Sequence, residues 1–248
     1  MANSVADDGR MAAYRVTWET KPALRAIYQD YYRHILAASR SGKVLEIGGG
    51  SGHLRDYHAD AVLTDIQPAP WVDAAADAQA LPFADETFDT IVMLDVLHHI
   101  EHPPRFFREA ARILKPGGRL VMLDPAITPV SNIIFRLTHP EPVNMRGDAF
   151  ADGEPDPARD PYDANQAVPT LIFGRAAGRG RFDGENPTLT IKRVSRLSLF
   201  AYPLSGGFRP WSLIPVFLVR PVLKLENLLL PLIGWALAFR MLVVVERQ

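Results

Sequence analysis

The chain has no cysteine in its 248 residues, which excludes disulfides and thiolate metal sites and fits a reducing compartment. It has almost no net charge either. A formal charge of -1 and a pI ≈ 6.7 give no general pull toward nucleic acid, so such a partner would need a local basic patch. Arg175, Arg179 and Arg181, set among glycines, are the one candidate, and a solvated loop accounts for them more simply. The N-terminus is polar, with Asp7, Asp8 and Arg10, and lacks the apolar core of a signal peptide. A spanning segment is also lacking, because the longest uncharged run in the apolar C-terminal third, Asn227 to Phe239, falls short of the roughly 18 to 20 residues required. These absences favour a cytoplasmic protein with no nucleic-acid partner.

What is present is concentrated in one stretch. Val44 to Leu54 reads Val-Leu-Glu-Ile-Gly-Gly-Gly-Ser-Gly-His-Leu, a short β-forming run joined to a glycine turn, with an acid just ahead. Val44 to Ile47 suit a buried strand, while the glycines permit positive φ and let a ligand lie against bare backbone. A dinucleotide fingerprint needs a third glycine three residues after its second. Counted from Gly48 and Gly50 that place holds His53, which weakens a pyrophosphate reading. Glu46 agrees, since a carboxylate there would repel a pyrophosphate and attract a cationic amino-acid headgroup.

This run resembles the first motif of the class I S-adenosylmethionine-dependent methyltransferases, an acid-x-Gly-x-Gly-x-Gly pattern that falls here on Glu46 to Gly52. The resemblance continues in order along the chain. Leu63-Thr64-Asp65-Ile66 is similar to the second strand, which ends in the acid that takes the ribose hydroxyls. Ala76-Asp77-Ala78, followed by Leu81-Pro82-Phe83, is similar to the turn that holds the adenine. Phe88 to Ile100 resembles the fourth strand with its exit loop, and Arg112 to Leu120 the turn into strand five. The matches run from Val44 to Asp124 and are closest to the broad group that includes the quinone-biosynthesis C-methyltransferases. They imply an α/β fold, a Rossmann-like doubly wound sheet of seven strands with strand seven antiparallel, as one domain over residues 1–248. They imply S-adenosylmethionine as cofactor, held by Glu46, Gly48, Gly49, Gly50, Gly52, Asp65, Ile66, Asp77, Ala78 and Leu94.

Outside the motifs, apolar residues at helical spacing predict a helix over Trp18 to Ser39 ahead of strand one. A crossover helix is expected over Phe106 to Leu114, stopped by Pro116-Gly117-Gly118. Residues 125–187 are rich in Pro, Gly and Asp and too long for an ordinary connection. They lie where the family inserts substrate-covering structure, between strands five and six, and read as a partly helical lid with a turn over Asn132 to Leu137. Leu189 to Phe200 reads as strand six and Arg240 to Glu246 as strand seven. Between them residues 209–239 form an apolar segment that Pro215, Pro221 and Pro231 should break into pieces. It is either core and lid helices or, over 211–239, a surface for peripheral membrane or lipid contact.

Methyl transfer is an in-line displacement at a sulfonium carbon, so the protein must position the nucleophile and exclude water. His98 and His99 follow strand four, where an imidazole could serve as general base; either could instead cap a helix or bond to backbone. With His102 they raise a metal site, but Glu101 and Pro103 mark a turn and no metal is expected. In the lid, His139 and Glu141, and Asn165 with Gln166, are polar clusters that face the substrate or form an exposed loop. Tyr14 and Trp18 are candidates to cover the cofactor pocket or pack in the core, and Tyr202 to border the acceptor. The expected acceptor is a small, hydrophobic or lipid-like molecule. Two other functions compete with it: a cofactor-binding regulatory or partner subunit without turnover, and a nicotinamide-dependent oxidoreductase.

Overall fold

The computed structural model describes residues 9–248, so Asp7 and Asp8 lie outside the described residues. Seven strands form one sheet: β1 (Val44–Ile47), β2 (Val62–Asp65), β3 (Ala74–Ala75), β4 (Phe88–Leu94), β5 (Leu114–Pro125), β6 (Leu189–Leu197) and β7 (Arg240–Arg247). Their order is β3-β2-β1-β4-β5-β7-β6, with β7 antiparallel to both neighbours and the rest parallel. This is the expected sheet. The switch in direction of winding between β1 and β4 puts a crevice at the carboxyl ends of those strands, where ligands of open α/β sheets bind.

Alternation along the central strands feeds two cores, one on each face. Ile91, Met93, Met122, Val243 and Val245 face one side and meet Phe106 and Phe107 of α3 (Pro103–Ile113) and Phe182 of α5 (Ala176–Glu185). Val92, Val121, Leu123, Leu242 and Val244 face the other and meet Leu24, Ile27 and Tyr31. Those three belong to α2 (Pro22–Ala38), which the structure separates from α1 (Arg10–Thr20). The single helix expected from Trp18 to Ser39 is therefore two. Pro22 opens the second helix and pushes Lys21 out of the helical region, to φ -118 and ψ 84.

Other boundaries also move. The crossover helix ends at Ile113, and Leu114 begins β5, so Pro116-Gly117-Gly118 falls inside the strand's irregular start and does not terminate the helix. β6 ends at Leu197 because Ser198 turns to φ 61. The lid turn at Asn132 to Leu137 is part of a longer helix, α4 (Pro129–Thr138), whose start Thr128 and Ser131 close by reciprocal capping, worth about 1 kcal/mol. A π-helical turn, Thr170–Gly174, precedes α5, and Gly178 lets the two pack: a Cβ there would stand 2.0 Å from the Leu171 carbonyl oxygen.

The largest departure lies before β7. After the short α6 (Ala201–Ser205), residues Val216–Leu237 form one continuous helix, α7, in spite of Pro221 and Pro231. Both prolines are exposed, so the carbonyls they deprive of a donor, those of Phe217 and Asn227, lie on the solvent side, where water can satisfy them. Arg175, Arg179 and Arg181 form no basic patch: Arg179 donates to the Phe173 carbonyl and Arg181 pairs with Asp148 and Glu185.

Candidate active site

The turn after β1 is held by backbone. Gly48, Gly50 and Gly52 have φ of 67, 48 and 81. At Gly48 a side chain would also collide with Val96, whose Cγ2 lies 2.3 Å from a Cβ position. Gly50 is different, with nothing nearer its Cβ position than the Gly48 carbonyl oxygen at 3.7 Å, so its backbone is open to a ligand. The Gly50 N–H donates to Asp65 Oδ2 at 2.9 Å and Gln67 N–H to Asp65 Oδ1 at 3.0 Å. Asp65 thus ties the glycine turn to the end of β2. A carboxylate has about four acceptor positions, and these bonds use two.

Glu46 is buried inside β1, and burial pushes its carboxyl well above the usual range. Its Oε1 accepts weakly from Tyr32 at 3.5 Å, while Oε2 is buried with no partner. An ammonium placed against that oxygen would restore its charge and satisfy it. Asp77 accepts from the Gln79 N–H at 2.8 Å, which shapes the turn, and Ala78 and Leu94 are buried while Ile66 is exposed. His53 stacks on Trp18 at 3.8 Å between ring centroids, and burial lowers it to about 4. The imidazole fills the place a dinucleotide site reserves for a glycine, which sets the nicotinamide alternative aside. Trp18 therefore packs in the core beside the glycine turn, whereas Tyr14 is partly exposed and lies 5.0 Å from Phe208.

A second group assembles from the loop after β4, the end of β5 and the lid. His98 Nδ1 lies 2.8 Å from Asp124 Oδ1, and His98 Nε2 3.3 Å from Glu141 Oε2. Glu141 also approaches His99 Nε2 at 3.9 Å and His139 Nδ1 at 3.7 Å, and it accepts from the Gln166 side-chain amide. The segment between β5 and β6 is stitched down around it: Asn165 N–H donates to the His98 carbonyl, Arg159 to the His99 carbonyl, and Tyr162 to Gln67 beside β2.

Burial pulls the His98 imidazole down, but the bonds to Asp124 and Glu141 outweigh it and hold it at about 9. Burial alone would raise Glu141, yet the His98 bond and the neighbouring imidazoles bring it to about 2. His99 goes the other way, to about 3, through burial and the charge on His98, and burial lowers His139 too. Near neutral pH His98 is thus an imidazolium against the Glu141 carboxylate, with the neutral imidazoles of His99 and His139 alongside. His98 already carries its proton, so of these two Glu141 is the one left to accept one. His98, His99 and Glu141 also have donor atoms within 4.8 Å of one another, a spacing that could hold a metal ion. His102, the third histidine of the sequence reading, turns instead to the Ala151 carbonyl and Glu101.

The site residues from the sequence thus divide. His98, His99, His139 and Glu141 come together, and Tyr202 lies close enough for the Glu141 charge to help raise its phenol, after burial and Tyr31. Asn165 does not join them, because its side chain is spent within the lid on Asn144 and Ala167. Gln166, named with Asn165, is the one of that pair that joins them. Three participants were not singled out: Asp95, Asp124 and Arg240. Asp95 follows β4 at φ 60, pairs with Arg240 and accepts from Tyr28. Its signal, and that of Asp124, is an acid at the carboxyl end of a central strand. Around this point Tyr14, Tyr28, Tyr202 and Phe208 form an aromatic wall, with Arg240 over the Tyr202 ring at 4.6 Å.

A parallel sheet with one antiparallel strand, a glycine turn bonded to the acid ending β2 and an acid inside β1 define the class I methyltransferase architecture. A family model described as a methyltransferase domain matches residues 45–122, so this stretch is similar to methyltransferase domains and lies in a sheet of their class I fold. A Mycobacterium leprae phthiotriol/phenolphthiotriol dimycocerosates methyltransferase is 34% identical over 119 residues, 40% of this chain and 44% of that protein. A ubiquinone/menaquinone biosynthesis C-methyltransferase from Dinoroseobacter shibae is 30% identical over 123 residues, 41% and 49% respectively. The chain thus spans less than half the length of these relatives. Among solved structures, geranyl diphosphate C-methyltransferase from Streptomyces coelicolor A3(2), at 11% identity, superposes with a TM-score of 0.51 over 90% of this chain and 80% of that one. An Archaeoglobus fulgidus S-adenosylmethionine-dependent methyltransferase, at 13% identity, gives 0.51 over 90% and 94%. At these identities the likeness concerns the fold.

Proposed function

We propose that this protein binds S-adenosylmethionine at the glycine turn and transfers its methyl group to a small, hydrophobic or lipid-like acceptor beneath the lid of residues 125–187. The observation that carries the reading is the turn itself: open backbone at Gly50, bonded to Asp65, with the unpartnered Oε2 of Glu46 buried just behind it. Asp65 and the Gly50 backbone fit a ribose, the Asp77 turn an adenine, and Glu46 an ammonium. When bound, the cofactor supplies a methyl group on an electrophilic sulfonium.

Every other task falls to the chain. The aromatic wall of Tyr14, Tyr28, Tyr202 and Phe208 excludes water and orients an apolar acceptor. Glu141 accepts the proton that the nucleophile sheds. An oxygen or ring carbon that has just gained a methyl group is far more acidic than its parent, so even a carboxylate held at about 2 can take that proton. His98, fixed through Nδ1 by Asp124, holds Glu141 in place and offsets its charge. Relatives named for polyprenyl-benzoquinol, menaquinone and phthiotriol substrates support a lipid-like acceptor.

Calorimetric titration with S-adenosylmethionine, S-adenosylhomocysteine and NADH tests the cofactor. Micromolar binding of the adenosyl ligands alone is expected; binding of NADH, or of neither kind, overturns the reading. A labelled-methyl assay with prenylated quinols against water-soluble catechols then tests the acceptor, and transfer to the catechols only would remove the hydrophobic preference.

A further inference from the structure

α7 carries its apolar residues on the wrong side for a core helix. Its buried side is Val219, Leu223, Glu226 and Gly234. Phe217, Pro221, Leu225, Leu228, Leu232 and Trp235 fall within an arc of about 80° on the opposite side. Phe217, Leu228, Leu232 and Trp235 are 73%, 72%, 70% and 64% exposed. Trp211 and Leu213, in the loop leading into the helix, are exposed as well. Nor is this a loosely attached segment. The Lys21 ammonium donates to three carbonyls of the preceding loop, those of Gly207, Arg209 and Trp211, and the Glu226 carboxylate accepts from the N–H groups that open α6. The apolar face is held outward by buried polar anchors.

The exposed charges of this segment have one sign. From Arg209 to Phe239 the only acid is Glu226, and it is buried; Arg209, Arg220 and Lys224 are exposed. Arg196 of β6 lies against Gly234 of the helix and is exposed too. None of these four cations has an ion-pair partner among the described residues. An apolar face of Phe, Leu and Trp rimmed by unpaired Lys and Arg, on a helix lying along the body, has the chemistry of an interfacial membrane helix. No helix among the described residues is long and apolar enough to cross a membrane. A second copy fits the face less well, because packing α7 against α7 would bring the Arg220 and Lys224 of both copies into one interface with no exposed acid of the helix to answer them.

The face also adjoins the site. The carbonyl of Ala238, at the end of α7, accepts from Thr128, where α4 starts, and α4 runs from there to His139 and the Glu141 cluster, exposing Ile133 and Leu137 on the way. We propose that α7, with Trp211 and Leu213, docks this protein flat on an anionic bilayer surface and brings the edge of the lid to the lipid. The proposal does not depend on methyl transfer, since binding can be read with no cofactor present.

The test is co-sedimentation of the full chain with phosphatidylglycerol/phosphatidylcholine vesicles and with phosphatidylcholine vesicles, read together with tryptophan emission. Wild type is expected to pellet with the anionic vesicles and shift its emission to the blue. F217S/L228S/L232S should weaken binding by about tenfold or more at every salt concentration, and R220E/K224E mainly at low salt. All five positions are exposed, and an unchanged unfolding midpoint shows that each variant is folded. Wild type remaining in the supernatant with both vesicles overturns the proposal. So does a wild-type dimer in light scattering that F217S/L228S/L232S makes monomeric, which would assign the face to a second copy.

Discussion

The turn after β1 and the loop after β4 flank the same crevice, yet they keep their shapes by different means. The first uses backbone: three glycines at positive φ and N–H groups bonded to one carboxylate, Asp65. The second uses side chains from three separate stretches: His98 after β4, Asp124 at the end of β5 and Glu141 from the lid, joined by charge. A site built from backbone suits a ligand that does not change, because few substitutions can alter it without breaking the turn. A site built from side chains can change with one residue. On the proposed function the cofactor falls to the first and the acceptor to the second; the family model spans residues 45–122, which take in the glycine turn and the His98 loop but neither Asp124 nor Glu141.

That division breaks most visibly if the two sites fail to separate in a kinetic experiment. Glu141→Gln keeps the shape of the side chain and its bond to His98 but removes the charge that takes the proton. Turnover is expected to fall on the order of a hundredfold or more, with S-adenosylhomocysteine affinity unchanged. Equal losses in both would mean that Glu141 supports the cofactor and that the division is false. The converse substitution, Asp65→Ala, removes the tie between the glycine turn and β2. Calorimetry should show adenosyl-ligand binding weakened about tenfold, close to 1.4 kcal/mol for one charge-assisted contact. Unchanged affinity would move the cofactor elsewhere.

The same difference explains how much could be read from the chain before its structure. Gly48 must be glycine whatever the substrate, since both its φ of 67 and the Val96 side chain forbid anything larger, so the turn is written locally in the sequence. β7 was equally plain, as an unbroken β-branched run that only a strand buried on both faces can use. The cluster was half legible. His98 and His99 stand next to the fourth strand, but that Glu141 reaches them across 43 and 42 residues depends on how the lid folds back, and no local pattern encodes it. Asn165 and Gln166 are neighbours with similar chemistry, and only packing decides that the amide of Gln166 meets Glu141 while Asn165 closes the lid on itself. The prolines of α7 misled for a physical reason: Pro221 and Pro231 break a helix whose freed carbonyls are buried, and here those carbonyls face solvent.

A smaller effect sharpens the comparison from the side of stability, because the side-chain site holds two imidazoles moved in opposite directions from their ordinary range. His98 is raised from 6.5 to about 9 in the folded chain, so its contribution is complete below pH 6.5 and is lost as the pH climbs through 9. His99 is lowered to about 3 and remains neutral when folded, so it costs stability as the pH falls below 6.5 toward 3. Together the two place the optimum of this cluster near pH 6.5, with an alkaline limb that belongs to His98. Measured by thermal unfolding, the wild-type midpoint should drop by several degrees between pH 6.5 and 9.5. His98→Gln should start lower, since it leaves Asp124 and Glu141 without their cation, but should show a distinctly flatter alkaline limb. The slope rather than the level carries the argument: any disruptive substitution lowers the midpoint, whereas only loss of the group that releases a proton flattens its dependence on pH. A variant with the wild-type slope would mean that the imidazole is neutral at rest, and His98 itself, not Glu141, would then be the base.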